Sequence, residues 1–318
     1  MKQEFQKIRC SLLGVIYLAI FLIGPSFADS GVLIIAHGSQ VMNSKGCASS
    51  VPGHWEKSIQ STLKEVQAEL SYPVQLVFGM FATPCFEEGI EKLSKKLKSQ
   101  GKTLDHLIVF PLFLSTHSGV IEGQRFIFKS SLKKWDQLKG LTQTQFSGKI
   151  TYLKALDYDP HLSIVLANRF HHLVHLAKEK GYSHQEMELV LVMHGPVSEG
   201  DNQKWIEMGE KYVSDITYLF PTHASHVVSL RDDAPTAIRD KATASLRTIV
   251  ETAVQNKRIA LVLPLFLAEG GVEAKIVTRL NGLDYIWSGK TLFPDSKLKD
   301  VFRERLSKEA IFRSKMNF

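Results

Sequence analysis

The sequence predicts an α/β protein made of two doubly wound units with parallel sheets, related by an internal duplication. Residues 31–39 and 189–195 each contain an unbroken apolar run that ends on His-Gly, and the segment Pro-Leu-Phe-Leu occurs at both 111–114 and 264–267. An apolar run of this length beside glycine is typical of a strand buried on both faces of a parallel sheet. The length of 318 residues suits two such units.

The first 28 residues have the three parts of a secretory signal peptide. Basic residues precede an apolar stretch at 12–24, and Ser-Phe-Ala at 26–28 provides a small-residue cleavage pattern. We expect an exported mature protein, periplasmic or otherwise, that begins near Asp29 and meets the membrane only through this peptide. An uncleaved anchor is the alternative, although the apolar stretch is short for a membrane span.

Charge and cysteine content restrict the partners and the compartment. The formal charge is +7, of which residues 1–28 contribute three basic groups and one acidic group. This basic balance favours anionic ligands. No arginine-rich run interleaved with aromatic residues occurs, so nucleic-acid binding is not expected. Cys47 and Cys85 remain after cleavage; they form a disulfide in an oxidising compartment or stay as two buried thiols.

The first half, predicted as residues 29–181, continues with alternating helices and strands. The pattern predicts an amphipathic helix over 54–70, a strand at 74–78, a helix that opens at Pro84, and a strand at 107–110.

The second half, predicted as residues 182–318, repeats this order. Strands are expected at 189–193, 227–230 and 259–262, with a helix that opens at Pro235. The offset between equivalent positions is 157 at the first strand, 151 at the second, 153 at the third and 136 at the closing element. The last drop places an insertion in the first half between Glu122 and Lys149, which is either a basic aromatic lid or a solvated amphipathic helix.

Four side chains with metal-binding or acid–base chemistry stand at equivalent strand ends. They are His37 and His117 in the first half, and His194 and Glu269 in the second, with Glu273 as a further base in the same loop as Glu269. Neutral imidazole is a common ligand for borderline divalent metals and accepts a proton near neutral pH. Since open α/β sheets bind ligands at the carboxyl ends of their strands, two matching histidines indicate one shared crevice.

Other polar residues give weaker signals. His171 and His175 have the i, i+4 spacing that can hold a metal, but no third ligand is evident, and a surface role is expected. Asp232 and Asp233 precede the helix that opens at Pro235, where the helix dipole favours anions, and capping is the expected role.

The segments 34–39 and 111–114, both repeated, together with Ala-Thr-Pro at 82–84 and Asp-Pro-His-Leu at 159–162, resemble the CbiX/CbiK-type class II tetrapyrrole chelatases. This family contains the sirohydrochlorin cobaltochelatases and their ferrochelatase relatives, and the resemblance covers about residues 31–310. It implies two flavodoxin-like halves and a lyase that inserts Co²⁺, or else Fe²⁺ or Ni²⁺, into sirohydrochlorin or a related tetrapyrrole. The pathway implied is cobalamin or sirohaem biosynthesis, and no organic cofactor is expected.

Roles follow from this resemblance. It implies that His37, His117, His194 and Glu269 contact the metal, and that His37, His194, Glu269 and Glu273 carry catalysis.

Two departures from the family pattern bear on specificity. The usual loop places its histidine two residues later than His117. Met80 and Arg231 stand where family members often have an acidic residue.

Two other functions share features with this sequence. A non-catalytic periplasmic protein that binds haem, a tetrapyrrole or a metal would keep the same histidines but cause no metal-dependent change in the spectrum of a free tetrapyrrole. Histidine phosphatases also begin with a strand followed by His-Gly, but an arginine precedes their histidine, whereas Ala36 and Met193 stand here. The sequence leaves a homo-oligomer open.

Overall fold

The computed structural model describes residues 29–37, 54–70, 72–80, 83–131, 140–269 and 271–307. Within these ranges the chain forms eight strands in two four-stranded, fully parallel sheets, together with eight α-helices. The α/β class and the two repeated parallel sheets are therefore confirmed. Residues 1–28 lie outside the described part, so export stays a prediction, and none of the described helices is long and apolar enough to span a bilayer.

The first sheet has the strand order β2-β1-β3-β4. Its strands are β1 (Ser30–Ala36), β2 (Val74–Phe78), β3 (His106–Leu112) and β4 (Lys149–Tyr152). Its helices are α1 (His54–Gln67), α2 (Thr83–Lys98) and α3 (Gly119–Ile127), and α4 (Pro160–Glu179) follows β4.

The second sheet repeats this arrangement in the order β6-β5-β7-β8. Its strands are β5 (Met187–Met193), β6 (Ala224–Ser229), β7 (Ile259–Leu265) and β8 (Ile286–Trp287). Its helices are α5 (Glu199–Leu219), α6 (Thr236–Gln255) and α7 (Val272–Arg279), and α8 (Leu298–Arg305) follows β8.

The central strands are apolar at most positions because helices cover both faces of each sheet. Successive side chains of a strand point to opposite faces. On β1, Val32 and Ile34 therefore join an inner core, while Leu33 and Ile35 join an outer one, and all four are fully buried. This two-sided burial explains the continuous apolar runs of the sequence.

One inner core connects the two sheets. It contains buried side chains of β1 and β3 from the first sheet, of β5 and β7 from the second, and of α1, α4, α5 and α8 between them. The outer face of the first sheet packs with α2 and α3, around Phe86 and Phe128. The outer face of the second packs with α6 and α7, around Leu246 and Ile276. The two halves thus share a hydrophobic interior.

The closing helix of each half packs on the other half. Helix α4 follows the first sheet in the chain but packs on β7 and β8 of the second. Helix α8 follows the second sheet but packs against α1, and its Phe302 ring lies 6.3 Å from the ring of Phe110 on β3. Because each closing helix packs on the opposite half, the two sheets are packed together through both helices.

The first-half insertion does not present all its aromatic residues to a cleft. Phe128 is fully buried against Phe86 and Tyr152, and Lys129 donates a hydrogen bond to the Phe146 carbonyl. Phe128 therefore serves the core and not a lid. Residues 132–139, which include Lys133 and Lys134, lie outside the described part.

A disulfide is present at Cys85, in the first turn of α2. The only other cysteines of the chain, Cys10 and Cys47, lie outside the described residues. The pairing of Cys47 with Cys85 stays a prediction.

Candidate metal and tetrapyrrole cleft

The predicted histidines lie at the carboxyl edges of the sheets, where the strand order reverses. β1 lies between β2 and β3, and Ala36 is in register with Leu112. His37 follows Ala36 directly and is exposed, and His117 is exposed in the loop that follows β3. Crevices form outside the carboxyl ends of strands at such switch points, so both first-half histidines lie on the edge where a crevice is expected.

His194 occupies the matching position after β5, and its hydrogen bonds define its tautomer. Its Nδ1 lies 2.9 Å from the Gly195 carbonyl oxygen. A carbonyl oxygen only accepts hydrogen bonds, so Nδ1 carries the proton. The other ring nitrogen, Nε2, lies 3.6 Å from the Asp233 Oδ2 atom. This nitrogen and this oxygen together suit a proton or a metal cation between them.

Asp233 is a site residue to which the sequence assigned another role. Capping was expected for Asp232 and Asp233, but Pro235 is the N-cap of α6, and no side chain caps that helix. Asp232 is instead buried and paired with Arg279, with Lys275 3.6 Å away. Asp233 is 73% exposed and lies beside His194. The capping prediction was wrong because the N-cap position falls at Pro235, beyond both aspartates.

Arg231 forms that turn and holds the loop after His194. It has a left-handed backbone with φ of 56°, which is uncommon for a residue other than glycine. Its amide donates to the His194 carbonyl at 2.8 Å, and its guanidinium donates to the Val197 carbonyl at 2.6 Å and to the Glu199 carboxylate at 2.9 Å. The hydrogen bond from Arg231 lowers the pKa of Glu199. Arg231, noted as a departure from the family pattern, therefore positions the His194 loop.

Gly195 allows that loop to pass close to β6. Its φ is +74°, and a Cβ atom added there would lie 2.5 Å from Cβ of Ser229. Both the backbone conformation and the space require glycine after His194.

The His117 loop is held from both halves. Within the first half, the Asp157 carboxylate accepts hydrogen bonds from the amide and the hydroxyl of Thr116, each at 2.7 Å. From the second half, the indole nitrogen of Trp205 donates to the His117 carbonyl at 2.7 Å. Trp205 is 7% exposed, so this bond is shielded from water. The His117 backbone is therefore fixed against helix α5.

Helix α5 thereby joins the two histidine loops. Its N-cap is Ser198, four residues after His194, and Trp205 lies seven residues farther along. At a rise of 1.5 Å per residue, these seven residues span about 10 Å. The loops of His117 and His194 therefore border the first two turns of the same helix.

The next turns of α5 dock onto the segment that follows β4. The Tyr212 hydroxyl donates to the Asp157 carbonyl at 2.7 Å and accepts from the Asp159 amide at 3.0 Å. Burial raises the pKa of Tyr212, so the phenol stays protonated and able to donate. One turn on, Asp215 accepts from the Tyr158 hydroxyl at 2.7 Å. These bonds extend the rigid contact between α5 and the first half.

The two acidic candidates of the second half differ in their surroundings. Glu269 is exposed after β7, on the carboxyl edge of the sheet. Glu273 lies in the first turn of α7, and both its carboxylate oxygens lie 3.1 Å from the Gly271 amide, which donates to them. Glu273 thus supports the start of α7, whereas Glu269 lies exposed in the loop before that helix.

The expected equivalence of His117 and Glu269 was wrong by one residue. β3 and β7 are offset by 153 residues, and the N-caps of α3 and α7, Ser118 and Gly271, have the same offset. Thr116 therefore corresponds to Glu269. The two half-sites differ more than the sequence indicated, because a threonine that orders its loop stands where the other half has a carboxylate.

The histidines of α4 lie away from these loops. His171 stacks on Phe220, with ring centroids 5.3 Å apart, and His175 lies 3.8 Å from Glu179 on the same helix. Both histidines are exposed.

No protein-family model matches the chain, and no curated protein matches it at a significant level. The resemblance of its motifs to those of the class II chelatases therefore supports a proposal of function and does not assign the chain to a family.

Proposed function

We propose that this chain is a chelatase that inserts a divalent metal ion, Co²⁺ first among them, into sirohydrochlorin or a related tetrapyrrole. One observation carries the proposal: Trp205 of the second half holds the loop of His117 against the helix that begins beside His194. Histidines from both halves then border one cleft between two chelatase-like, flavodoxin-like units.

His194 and Asp233 supply the capture of the metal substrate. With Nδ1 protonated, the His194 Nε2 atom offers a lone pair, and Asp233 offers a carboxylate oxygen 3.6 Å away. A strongly hydrated ion exchanges water for these two donors in steps. Because the Asp233 side chain is 73% exposed, the ion is held loosely enough to be passed on.

Insertion also requires the loss of protons. One divalent ion enters the macrocycle and two pyrrole N–H protons leave, so that charge balances. His37 and His117 on one side and Glu269 on the other are exposed bases at the cleft edges that can accept them. In this account His37 and His117 also serve as metal ligands during transfer, whereas Glu273 remains at the start of α7.

The charge of the chain suits a polycarboxylated macrocycle. The formal charge of +7 falls to +5 without residues 1–28, which carry three basic groups and one acidic group, and this balance still favours anionic ligands. Residues 1–28 place the activity outside the cytoplasm if they act as a signal peptide, so the metal would be captured there.

The test uses purified residues 29–318 with metal-free sirohydrochlorin and Co²⁺, Fe²⁺ or Ni²⁺ in turn, and follows the absorption spectrum of the macrocycle. We expect an enzyme-dependent change that is fastest with one ion, is lost in His194→Ala, and is retained in the surface control His171→Ala. Binding of the macrocycle with no acceleration by any ion would instead identify a non-catalytic tetrapyrrole carrier and overturn the proposal.

A further inference from the structure

A second group of metal-ligating side chains lies at the joint between the halves, away from His194. Asp159, His161 and Glu304 each offer one ligand atom, and these three atoms lie within 4.8 Å of one another. Asp159 and His161 are at the start of α4, and Glu304 is on α8. The group therefore exists only where the two exchanged helices meet.

Two of the three distances within this group, those from His161, fit a coordination shell. His161 Nδ1 lies 3.1 Å from a Glu304 carboxylate oxygen and 3.4 Å from Asp159 Oδ1. In a tetrahedral shell with bonds of roughly 2.1 Å, neighbouring ligand atoms lie about 3.4 Å apart. The Nδ1 atom is shielded from solvent and makes no hydrogen bond of acceptable geometry with any of the residues that the structure describes. A cation among the three atoms would satisfy it.

The surroundings of Asp159 support a ligand role. Its side chain is 2% exposed, and its Oδ2 atom accepts hydrogen bonds from Arg305 at 3.2 Å, which leaves Oδ1 directed toward His161. A hydrogen-bonded partner of this kind commonly orients a metal-ligating carboxylate.

The duplication provides an internal comparison. At the equivalent joint, Asp295 pairs with Arg169 at 3.3 Å and accepts from the Lys297 amide at 2.9 Å, as Asp159 accepts from the His161 amide at 2.9 Å. Lys297 stands in place of His161, and Asn168 in place of Glu304, each 136 residues from its counterpart.

The Asp–Arg pair is therefore present at both joints, whereas the histidine and the second carboxylate occur together at one. His161 and Glu304 come from helices of different halves. The Asp–Arg ion pair forms at the other joint without them, so it does not explain their presence here.

We propose that Asp159, His161 and Glu304 bind a first-row divalent transition-metal ion, such as Zn²⁺, which joins helix α4 to helix α8. One nitrogen and two oxygen donors suit ions of this class. The ion would stabilise the docked halves and is independent of the metal substrate in the proposed cleft.

The test compares chelator-treated protein with and without Zn²⁺, using calorimetric titration and thermal unfolding. The double variant His161→Lys with Glu304→Asn copies the residues of the other joint. We expect it to bind one Zn²⁺ fewer per chain and to lose the rise in thermal midpoint that Zn²⁺ causes in the unchanged protein. His194→Ala, which alters the proposed cleft, should keep that rise.

Glu304→Gln removes one exposed ligand with little risk to folding, since this side chain is 58% exposed. It should weaken binding at this site at least tenfold. Unchanged Zn²⁺ stoichiometry, affinity and thermal shift in both variants would overturn the proposal, whether or not the chain proves to be a chelatase.

Discussion

Arg169 of the first half pairs with Asp295 of the second at 3.3 Å, and the repeat of this pair runs in the opposite direction between Arg305 and Asp159 at 3.2 Å. Both members of one pair lie 136 residues from those of the other. Each arginine also donates to a backbone carbonyl of the opposite half, of Pro294 or of Leu156. The duplication has therefore produced two equivalent Arg–Asp ion pairs between the halves, one for each exchanged helix.

The two Arg–Asp ion pairs should differ in their contribution to the free energy of unfolding. The Asp159 side chain is 2% exposed and that of Asp295 is 16% exposed. Arg305→Ala leaves a buried carboxylate without its cation and should cost about 3–5 kcal/mol of unfolding free energy. Arg169→Ala should cost about 1 kcal/mol. Urea unfolding measures both, and Lys95→Ala, at an exposed ion pair, serves as the control. Equal losses of unfolding free energy in Arg305→Ala and Lys95→Ala would contradict a stabilising role for the Arg305–Asp159 pair.

Removing the indole donor of Trp205 should loosen the His117 loop. Trp205→Phe keeps most of the buried ring but leaves the His117 carbonyl without its donor, at a cost of about 1–3 kcal/mol. We expect slower metal insertion and weaker metal binding in a folded protein, measured by initial rates and titration. Trp287→Phe on β8 is the matched control, and equal effects of the two changes would count against a role of Trp205 in the cleft.

Gly195→Ala should disturb the loop that carries His194. The left-handed backbone, with φ of +74°, and the approach of 2.5 Å to Ser229 both oppose a Cβ atom. Gly282 has a φ of +83° with open space around it, so Gly282→Ala incurs only the backbone cost. That backbone cost is of order 1–3 kcal/mol. The Gly195 variant should lose more stability than the Gly282 variant, and only it should lose metal binding. Similar unfolding curves for the two would show that the loop has room to move.

The ion pair of Arg231 and Glu199 should give stability a dependence on acidic pH. The hydrogen bond from Arg231 lowers the pKa of Glu199 below the ordinary value of a glutamate. A carboxyl whose pKa is lowered by folding stabilises the protein above its unfolded pKa, and this contribution is lost as pH falls through the folded pKa. The difference in unfolding free energy between the natural protein and Glu199→Gln should therefore shrink from pH 6 toward pH 3. The difference should be small because Glu199 is 79% exposed. A difference that does not change with pH would contradict a stabilising contribution of the Arg231–Glu199 ion pair.

The repeated apolar runs were sufficient to predict the two sheets, because a strand buried on both faces is apolar at most of its positions. All of Met187–Met193 in β5 is buried, and its one charged residue, Glu188, pairs with Arg258. The exchange of α4 and α8 could not be predicted in this way. An amphipathic helix shows which of its faces is buried, but not which of two similar sheets will bury it.

The histidines of the cleft could be located because each directly follows or lies shortly after a buried strand. The role of Asp233 could not, since it depends on the left-handed turn at Arg231, and arginine is not a residue type that signals such a turn. Trp205 was missed for a similar reason: its position among the polar residues of α5 does not reveal a bond to a loop 88 residues earlier in the chain.

The most direct test of the central claim is a double-mutant cycle between His117→Ala and His194→Ala, with initial rates of Co²⁺ insertion into sirohydrochlorin as the readout. If the two loops serve one cleft, each single variant should slow insertion strongly, and the double variant should be little slower than the worse single one. Strictly multiplicative effects, or an unchanged rate in either single variant, would contradict a shared site.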